Sequence, residues 1–182
     1  MINFTDFSLG VKEEDFENLD EKFSYYYVST KGNILTGGNK RLAINFFEKV
    51  CNTMMKQGRN TGKKEKCYLQ FTQIINQLSI KKEGQGVLVF LKAIFKSMPT
   101  RSVRRERRGS GKITRAVYLS PSKRIIFVLS NLTKDLSLKR KRNKSYVQCF
   151  VNEILLAYHN DNSSMLLQKR REAQASADSS NY

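Results

Sequence analysis

The stretch that decides the fold is PTRSVRRERRGSGKITRAVYLSPSKR, residues 99–124. Strand-forming residues flank a glycine-rich turn at 109–111, which predicts a β-hairpin with a flexible tip. Ser120 followed by Pro121 predicts a helix start, because proline at the first helical position gives up only an amide that would have no partner within the helix. The segment therefore predicts a hairpin that leads directly into a helix.

The same stretch carries a large positive charge that it cannot neutralise itself. Its basic residues face a single acid, Glu106. We therefore expect the balancing charge to come from outside, as the phosphates of a nucleic acid. The basic residues are Arg101, Arg104, Arg105, Arg107, Arg108, Lys112, Arg115, Lys123 and Arg124, and the predicted hairpin tip is Gly109, Ser110 and Gly111.

The composition of the whole chain points the same way. The chain has 182 residues, 40% of them hydrophobic, and a formal net charge of +17. This length supports one core, so we predict a single helical domain at 39–182 with a hairpin arm at about 100–119, preceded by an extension at 1–38. Residues 1–30 hold two lysines against seven acids, about −5, which leaves about +22 on the remainder.

Apolar residues at helical spacing predict about six helices. The first covers 40–57, with Asn39 as its cap and Gly58 as its stop, and the second begins near Lys64. We expect a mainly α fold, a single bundle of about six helices with a protruding basic β-hairpin between the third and the fourth. The later helices are predicted at 87–98, from 120 to about 136, at 147–158 and at 164–177.

Several classes of function are disfavoured. Three widely spaced cysteines, at 51, 67 and 149, and the single His159 match neither a zinc site nor a disulfide framework. The loop GRNTGKK has its two glycines one residue too close together for a phosphate-binding nucleotide loop. No apolar run approaches the length that crosses a bilayer. We therefore expect no catalytic residue, metal, cofactor, small-molecule substrate or membrane partner.

Other stretches are positively charged like the hairpin, and they extend the predicted contact surface for nucleic acid. They are the start of the first helix, the loop after it, the stretch KRKRNK and the last helix. The candidate residues that they add are Lys40, Arg41, Arg59, Lys63, Lys64, Arg140, Lys141, Arg142, Lys144, Lys169, Arg170 and Arg171.

The arm and the order of the elements resemble the family of small-subunit ribosomal protein S-seven. The matching residues fall on the family's arm pattern, on its Asn-Glu helix and on its basic C-terminal helix. The resemblance covers roughly residues 40–182. The residues that carry it are Pro99-Thr100, Val103-Arg104, Arg107, Gly109, Val117, Leu119, Pro121, Lys123-Arg124, Asn152-Glu153, Lys169-Arg170 and Ala177-Asp178.

This resemblance implies a structural component of the small ribosomal subunit, not an enzyme. It implies binding to the 3′ major domain of small-subunit rRNA, early in the assembly of the head. The segment from Arg104 to Arg115 would lie near the exit-site tRNA and the path of the departing mRNA. Lys40-Arg41 and Lys123-Arg124 would contact rRNA, and the C-terminal helix would meet a neighbouring ribosomal protein.

The chain departs from the bacterial members of that family at both ends. Its N-terminus is acidic where theirs is basic, the loop at 58–66 is expanded, and the tail at 181–182 lacks their aromatic and basic finish. The acidic extension and the composition favour a mitochondrial ribosome, with a plastid or the bacterial cytoplasm as alternatives. We expect residues 1–38 to dock on a neighbouring ribosomal protein or a basic surface.

Two other classes of protein share some of these features. An architectural DNA-binding protein also carries a basic β-arm on a helical body, but such arms usually present proline or a large apolar wedge where this chain has small residues at 109–111. An RNA-processing enzyme is disfavoured because no cluster of His, Cys or carboxylate residues supplies an acid, a base or a metal site.

Overall fold

The computed structural model describes residues 46–56, 58–82, 85–108, 111–139 and 145–180. Within these ranges the fold consists of six α-helices and a two-stranded antiparallel hairpin between the third and the fourth helix, which confirms the predicted fold class. The elements are α1 (Phe46–Met54), α2 (Lys64–Lys81), α3 (Gly86–Lys96), β1 (Arg101–Arg108), β2 (Gly111–Tyr118), α4 (Pro121–Lys139), α5 (Tyr146–Tyr158) and α6 (Met165–Ser179).

The helix boundaries on either side of the hairpin follow local sequence chemistry. α3 ends at Lys96, shortly before Pro99, where the residue preceding a proline is pushed toward extended backbone. α4 begins at Pro121, and the amide of Arg124 donates to the carbonyl of Ser120 at 3.0 Å. The hairpin is therefore bounded by two helix ends that the sequence predicts.

The first helix differs from its predicted extent. α1 ends at Met54, and Gly58 opens a short 3-10 turn with φ of 68°, a left-handed conformation that glycine adopts without strain. The predicted helix at 40–57 is thus shorter at its C-terminal end. Its first residues, the cap at Asn39 and the predicted domain boundary lie outside the described residues, so the boundary stays a prediction.

α3 lies at the centre of the bundle. Phe90 is completely buried, and its ring lies 5.5 Å from that of Phe71 on α2 and 6.2 Å from that of Phe46 on α1. On its other side, Phe90 stacks on Phe150 of α5 at 6.2 Å. Burial of such a side chain contributes roughly 1.5–3 kcal/mol, and each well-oriented aromatic pair adds roughly 0.5–1.5 kcal/mol. One side chain thus ties three helices to α3.

The start of α3 lies so close to α2 that a side chain cannot be placed there. A Cβ atom at Gly86 would lie 2.6 Å from the carbonyl oxygen of Ile75 and 2.7 Å from the amide nitrogen of Ser79. It would also collide with the hydroxyl of Ser79. Because the first two atoms belong to the backbone of α2, they cannot move without bending that helix.

Glu153 connects α5 to the beginning of α6. Its carboxylate is buried, and Oε1 accepts hydrogen bonds from Ser164 Oγ at 2.9 Å and from the amide of Leu166 at 3.1 Å. Ser164 is the N-cap residue of α6, yet its side chain makes no capping bond within its own helix. A carboxylate from α5 therefore satisfies a first-turn amide, a role usually filled by the N-cap side chain.

We predict that Gly86→Ala lowers the free energy of unfolding by about 1–3 kcal/mol, because the methyl group forces α2 and α3 apart. Urea denaturation followed by circular dichroism measures the loss. Adding Ser79→Ala should restore little of it, since two of the three collisions involve backbone atoms. Full recovery in the double variant would show that the hydroxyl alone was the obstacle.

We predict that Glu153→Ala costs about 1–3 kcal/mol of stability, because it leaves the buried Ser164 hydroxyl and Leu166 amide without this acceptor. Glu153→Gln retains an acceptor oxygen without the charge and should lose less. The exposed neighbour on the same helix supplies the control, Asn152→Ala. Equal urea midpoints for Glu153→Ala and Asn152→Ala would contradict the capping role.

Candidate nucleic-acid interface

The hairpin places positive charges directly opposite one another. β1 and β2 pair in antiparallel register, which sets Arg104 against Arg115 and Arg107 against Lys112. Residues opposite each other in such a ladder share one face of the ribbon, and like charges in that position destabilise it. The positive charges of the ribbon therefore repel one another. A bound polyanion would reduce this repulsion.

Two acids lie near this charge, and both interact weakly. Glu106 approaches Arg104 Nε at 3.4 Å, and Asp178 of α6 approaches Arg101 at 3.3 Å. These side chains are substantially exposed, so each ion pair contributes about 0–1 kcal/mol. Among the described residues, Arg105 and Arg115 form no ion pair. The described arm thus retains free guanidinium groups.

The base of the hairpin rests on α6. Gln174 Nε2 donates to Thr100 Oγ1 at 3.3 Å, next to the pair between Arg101 and Asp178. Further out, a cleft of about 440 Å³ separates the ribbon from the end of the helix. Arg105 lines this cleft. The C-terminal helix therefore sets the direction in which the arm leaves the bundle.

Of the two predicted cations that follow the hairpin, one has a structural role. Arg124 Nε donates to the carbonyl of Leu119 at 2.9 Å, which ties the end of the hairpin to the first turn of α4. Lys123 beside it is exposed. The two residues therefore lie at the arm's root, where Arg124 serves the fold and Lys123 faces solvent.

The basic loop after α1 contains one cation that is held within the fold. Lys64 Nζ lies 2.7 Å from Glu48, whose side chain is buried. This hydrogen bond raises the pKa of Lys64 above its ordinary value, so the ion pair persists at neutral pH. Arg59 and Lys63 are exposed. The loop therefore offers these two residues to an external partner.

The three predicted cations of α6 all have partners within the chain. Arg170 donates to the carbonyl of Lys96, and Arg171 donates to Asn162. Lys169 pairs with Glu172 at 2.8 Å, a hydrogen bond that raises the pKa of the lysine. The sequence alone predicts that all three residues contact nucleic acid. In the structure, Arg170 also joins α6 to the end of α3.

The remaining predicted contacts lie at the hairpin turn or outside the described residues. Gly111 belongs to β2, paired with Arg108, so the turn itself is shorter than the predicted tip. For Arg108 and Lys112 only the backbone register is described. The predicted contacts that lie outside the described residues are Lys40, Arg41, Gly109, Ser110, Arg140, Lys141, Arg142 and Lys144.

The cysteines lie where packing residues are expected. Cys51 and Cys67 are buried, and burial raises the pKa of the Cys51 thiol to about 12. Within the described ranges no group of His, Cys, Asp and Glu side chains could hold a metal ion. In the same ranges, no helix combines the length and the apolar character that crossing a bilayer requires.

The structure contains one basic cluster that the sequence did not predict. Lys82 and Lys96 lie over the ring of Tyr158, where α2, α3 and α5 meet. The stretch KKEGQG at 81–86 reads as a turn, and nothing in the sequence links it to Tyr158. Only the paired lysines at 81 and 82 signalled a basic surface there.

Comparison with known proteins identifies the family. The family model described as ribosomal protein S7p/S5e matches residues 26–181. The small ribosomal subunit protein uS7 of Picrophilus torridus is 28% identical over 152 residues, covering 83% of this chain and 81% of that protein. That of Thermoplasma volcanium is 29% identical over 162 residues, covering 85% and 88%. That of Methanosphaera stadtmanae is 30% identical over 132 residues, covering 72% and 71%.

The match spans the helical bundle and the hairpin together, so it concerns the same elements that build the basic arm. It assigns the chain to the ribosome as a structural component without enzymatic activity, whose partners are small-subunit rRNA and ribosomal proteins. The chain therefore belongs to the ribosomal protein S7p/S5e family of the small ribosomal subunit.

Proposed function

We propose that this protein binds the 3′ major domain of small-subunit rRNA and helps to organise the head of the subunit. The observation that carries the proposal is the register of the hairpin, which sets Arg104 opposite Arg115 on an arm directed by α6. Phosphates that lie between these charges reduce their repulsion. Each phosphate that is neutralised also releases counterions from the RNA, which favours binding.

The mechanism is charge neutralisation combined with recognition of shape. The major groove of an RNA duplex is deep and narrow, so proteins reach mainly its backbone, its minor groove and its junctions. A two-stranded ribbon fits into junctions that a helical bundle cannot enter. Arginine suits this task because its planar guanidinium group holds a phosphate with two hydrogen bonds and stacks on exposed bases.

The direct contacts are assigned first to exposed predicted cations that form no ion pair among the described residues. These are Arg105, Arg107 and Arg115 on the arm, Lys123 at its root, and Arg59 and Lys63 in the loop after α1. Lys40-Arg41 and the basic residues at 140–144 remain part of the proposal through their charge and the family resemblance. Lys64 and Arg170 contribute chiefly to the folded scaffold.

We place the hairpin, in the assembled subunit, near the exit-site tRNA and the path of the departing mRNA. A narrow two-stranded arm whose base contacts α6 is a shape that can reach a neighbouring RNA ligand. The C-terminal helix is proposed to meet a neighbouring ribosomal protein with the surface that it turns away from the hairpin.

We propose a mitochondrial small subunit as the compartment, from the acidic N-terminal extension and the composition. A cytoplasmic ribosome is the second candidate, because the relatives reported above are archaeal. The extension at 1–38 is proposed to dock on a neighbouring ribosomal protein or a basic surface, since its first 30 residues carry a charge of about −5.

Crosslinking in native cell extract tests these assignments together. The attached nucleic acid is sequenced, crosslinked peptides are mapped by mass spectrometry, and the particle is sedimented. Reads from the 3′ major domain in a particle of small-subunit size support the proposal, and the rRNA sequence names the compartment. Crosslinks from residues 1–38 chiefly to rRNA would overturn their docking on protein. Dispersed DNA reads from a light fraction would instead identify an architectural DNA-binding protein.

We predict that Arg115→Gln weakens binding to a 3′-major-domain transcript and lowers the slope of log affinity against log salt by about 1, the value for one lost phosphate contact. The same change removes the repulsion from Arg104, so stability should stay constant or rise by up to about 1 kcal/mol. Titrations at several salt concentrations and urea denaturation measure the two effects.

The control for this prediction is Lys66→Gln, which removes an exposed cation from α2 outside the arm. It should leave the salt slope close to that of the original protein. A fall in stability with an unchanged salt slope in Arg115→Gln would mean that the arginine serves the fold and not the RNA.

A further inference from the structure

A second cationic site lies on the helical bundle and is organised by Tyr158. Lys82 Nζ lies 5.6 Å from the centroid of the tyrosine ring, and Lys96 Nζ lies 5.2 Å from it. Lys96 Nζ also donates to the carbonyl of Tyr158 at 2.7 Å. The electron-rich faces of an aromatic ring attract ammonium groups, so the tyrosine holds both lysines in place.

Lys82 and Tyr158 border a cavity of about 370 Å³ that is open to solvent. Lys81 and Gln85 also line it, and the side chains of Lys81, Lys82 and Gln85 can all donate hydrogen bonds. Val89 and Tyr158 complete the wall. None of these five lining residues is acidic, so no carboxylate among them neutralises the charge of the two lysines.

We propose that this cavity binds a phosphodiester group of the small-subunit rRNA, as a second RNA contact separate from the hairpin. The inference rests on the proposed function of the chain as an rRNA-binding protein. Lysine ammonium groups act as point charges and suit a tetrahedral phosphate, whereas bidentate recognition of a planar carboxylate favours arginine. Because lysines lie over its ring, Tyr158 supports the cations and does not serve as a stacking platform for a base.

The position of the cavity gives this second contact a purpose. Lys82 follows the end of α2, Gln85 is the N-cap of α3 and Val89 lies within α3, so the cavity wall is fixed by the buried bundle, whereas the hairpin begins after α3 ends at Lys96. Two RNA contacts carried by one rigid scaffold hold the bound RNA in a defined orientation. The second contact also becomes intramolecular once the first has formed, which raises the overall affinity.

The first test compares two variants that each remove two lysines. In Lys81→Gln/Lys82→Gln the cavity loses its charges, while Lys56→Gln/Lys66→Gln removes two exposed lysines elsewhere, one in the turn after α1 and one in α2. Binding to a 3′-major-domain transcript is titrated at several salt concentrations. We expect the slope of log affinity against log salt to fall by about 1 in the cavity variant, the value for one lost phosphate contact, and to stay nearly unchanged in the control.

A lysine-acetylation footprint read by mass spectrometry supplies the second test. Adding the transcript to the unaltered protein should protect Lys82 from acetylation and leave Lys66 reactive. Equal slopes in the two double variants, or protection of Lys82 only by an acidic ribosomal protein, would overturn the second RNA site. If the unaltered protein fails to bind the transcript at all, the proposed function itself is wrong.

Discussion

The structure depends on the burial of α3. Phe90 joins this helix to α1, α2 and α5, and the backbone contact at Gly86 leaves no freedom in how α3 begins. The other end of α3 carries Lys96, whose carbonyl holds Arg170 of α6 and whose ammonium group reaches Tyr158. The apolar core therefore sets the positions of both proposed RNA contacts, although neither contact is itself apolar.

The hairpin has the opposite character. A two-stranded ribbon is marginally stable in water by itself, and this one also sets arginine against arginine. It is held by its attachment to α6 through Thr100 and Arg101, where each contact is weak and exposed. Because the contacts at the base are individually weak and the strands carry opposed charges, RNA can adjust the arm at small energetic cost.

The cations all add to the net charge, but they have different roles in the structure. Lys64 and Arg170 are joined to partners within the protein, and such pairs stabilise the scaffold without serving an external ligand. Arg105 and Arg115 have no ion-pair partner in the described part of the chain. Lys82 and Lys96 form a third kind, because an aromatic ring holds them and neither forms an ion pair among the described residues. Their effect on binding therefore differs more than their shared charge indicates.

Elements that depend on local chemistry could be predicted from the amino-acid sequence. Helical spacing of apolar residues and the proline at 121 predicted the bundle and its helix starts, and the glycine-rich turn predicted the hairpin, because each of these signals acts within a few residues. Tertiary structure alone decided which cations are paired, that Glu153 of α5 caps α6, and that Lys82 and Lys96 meet at Tyr158. These contacts join residues far apart in the chain, and only the packing of the helices around α3 brings them within reach.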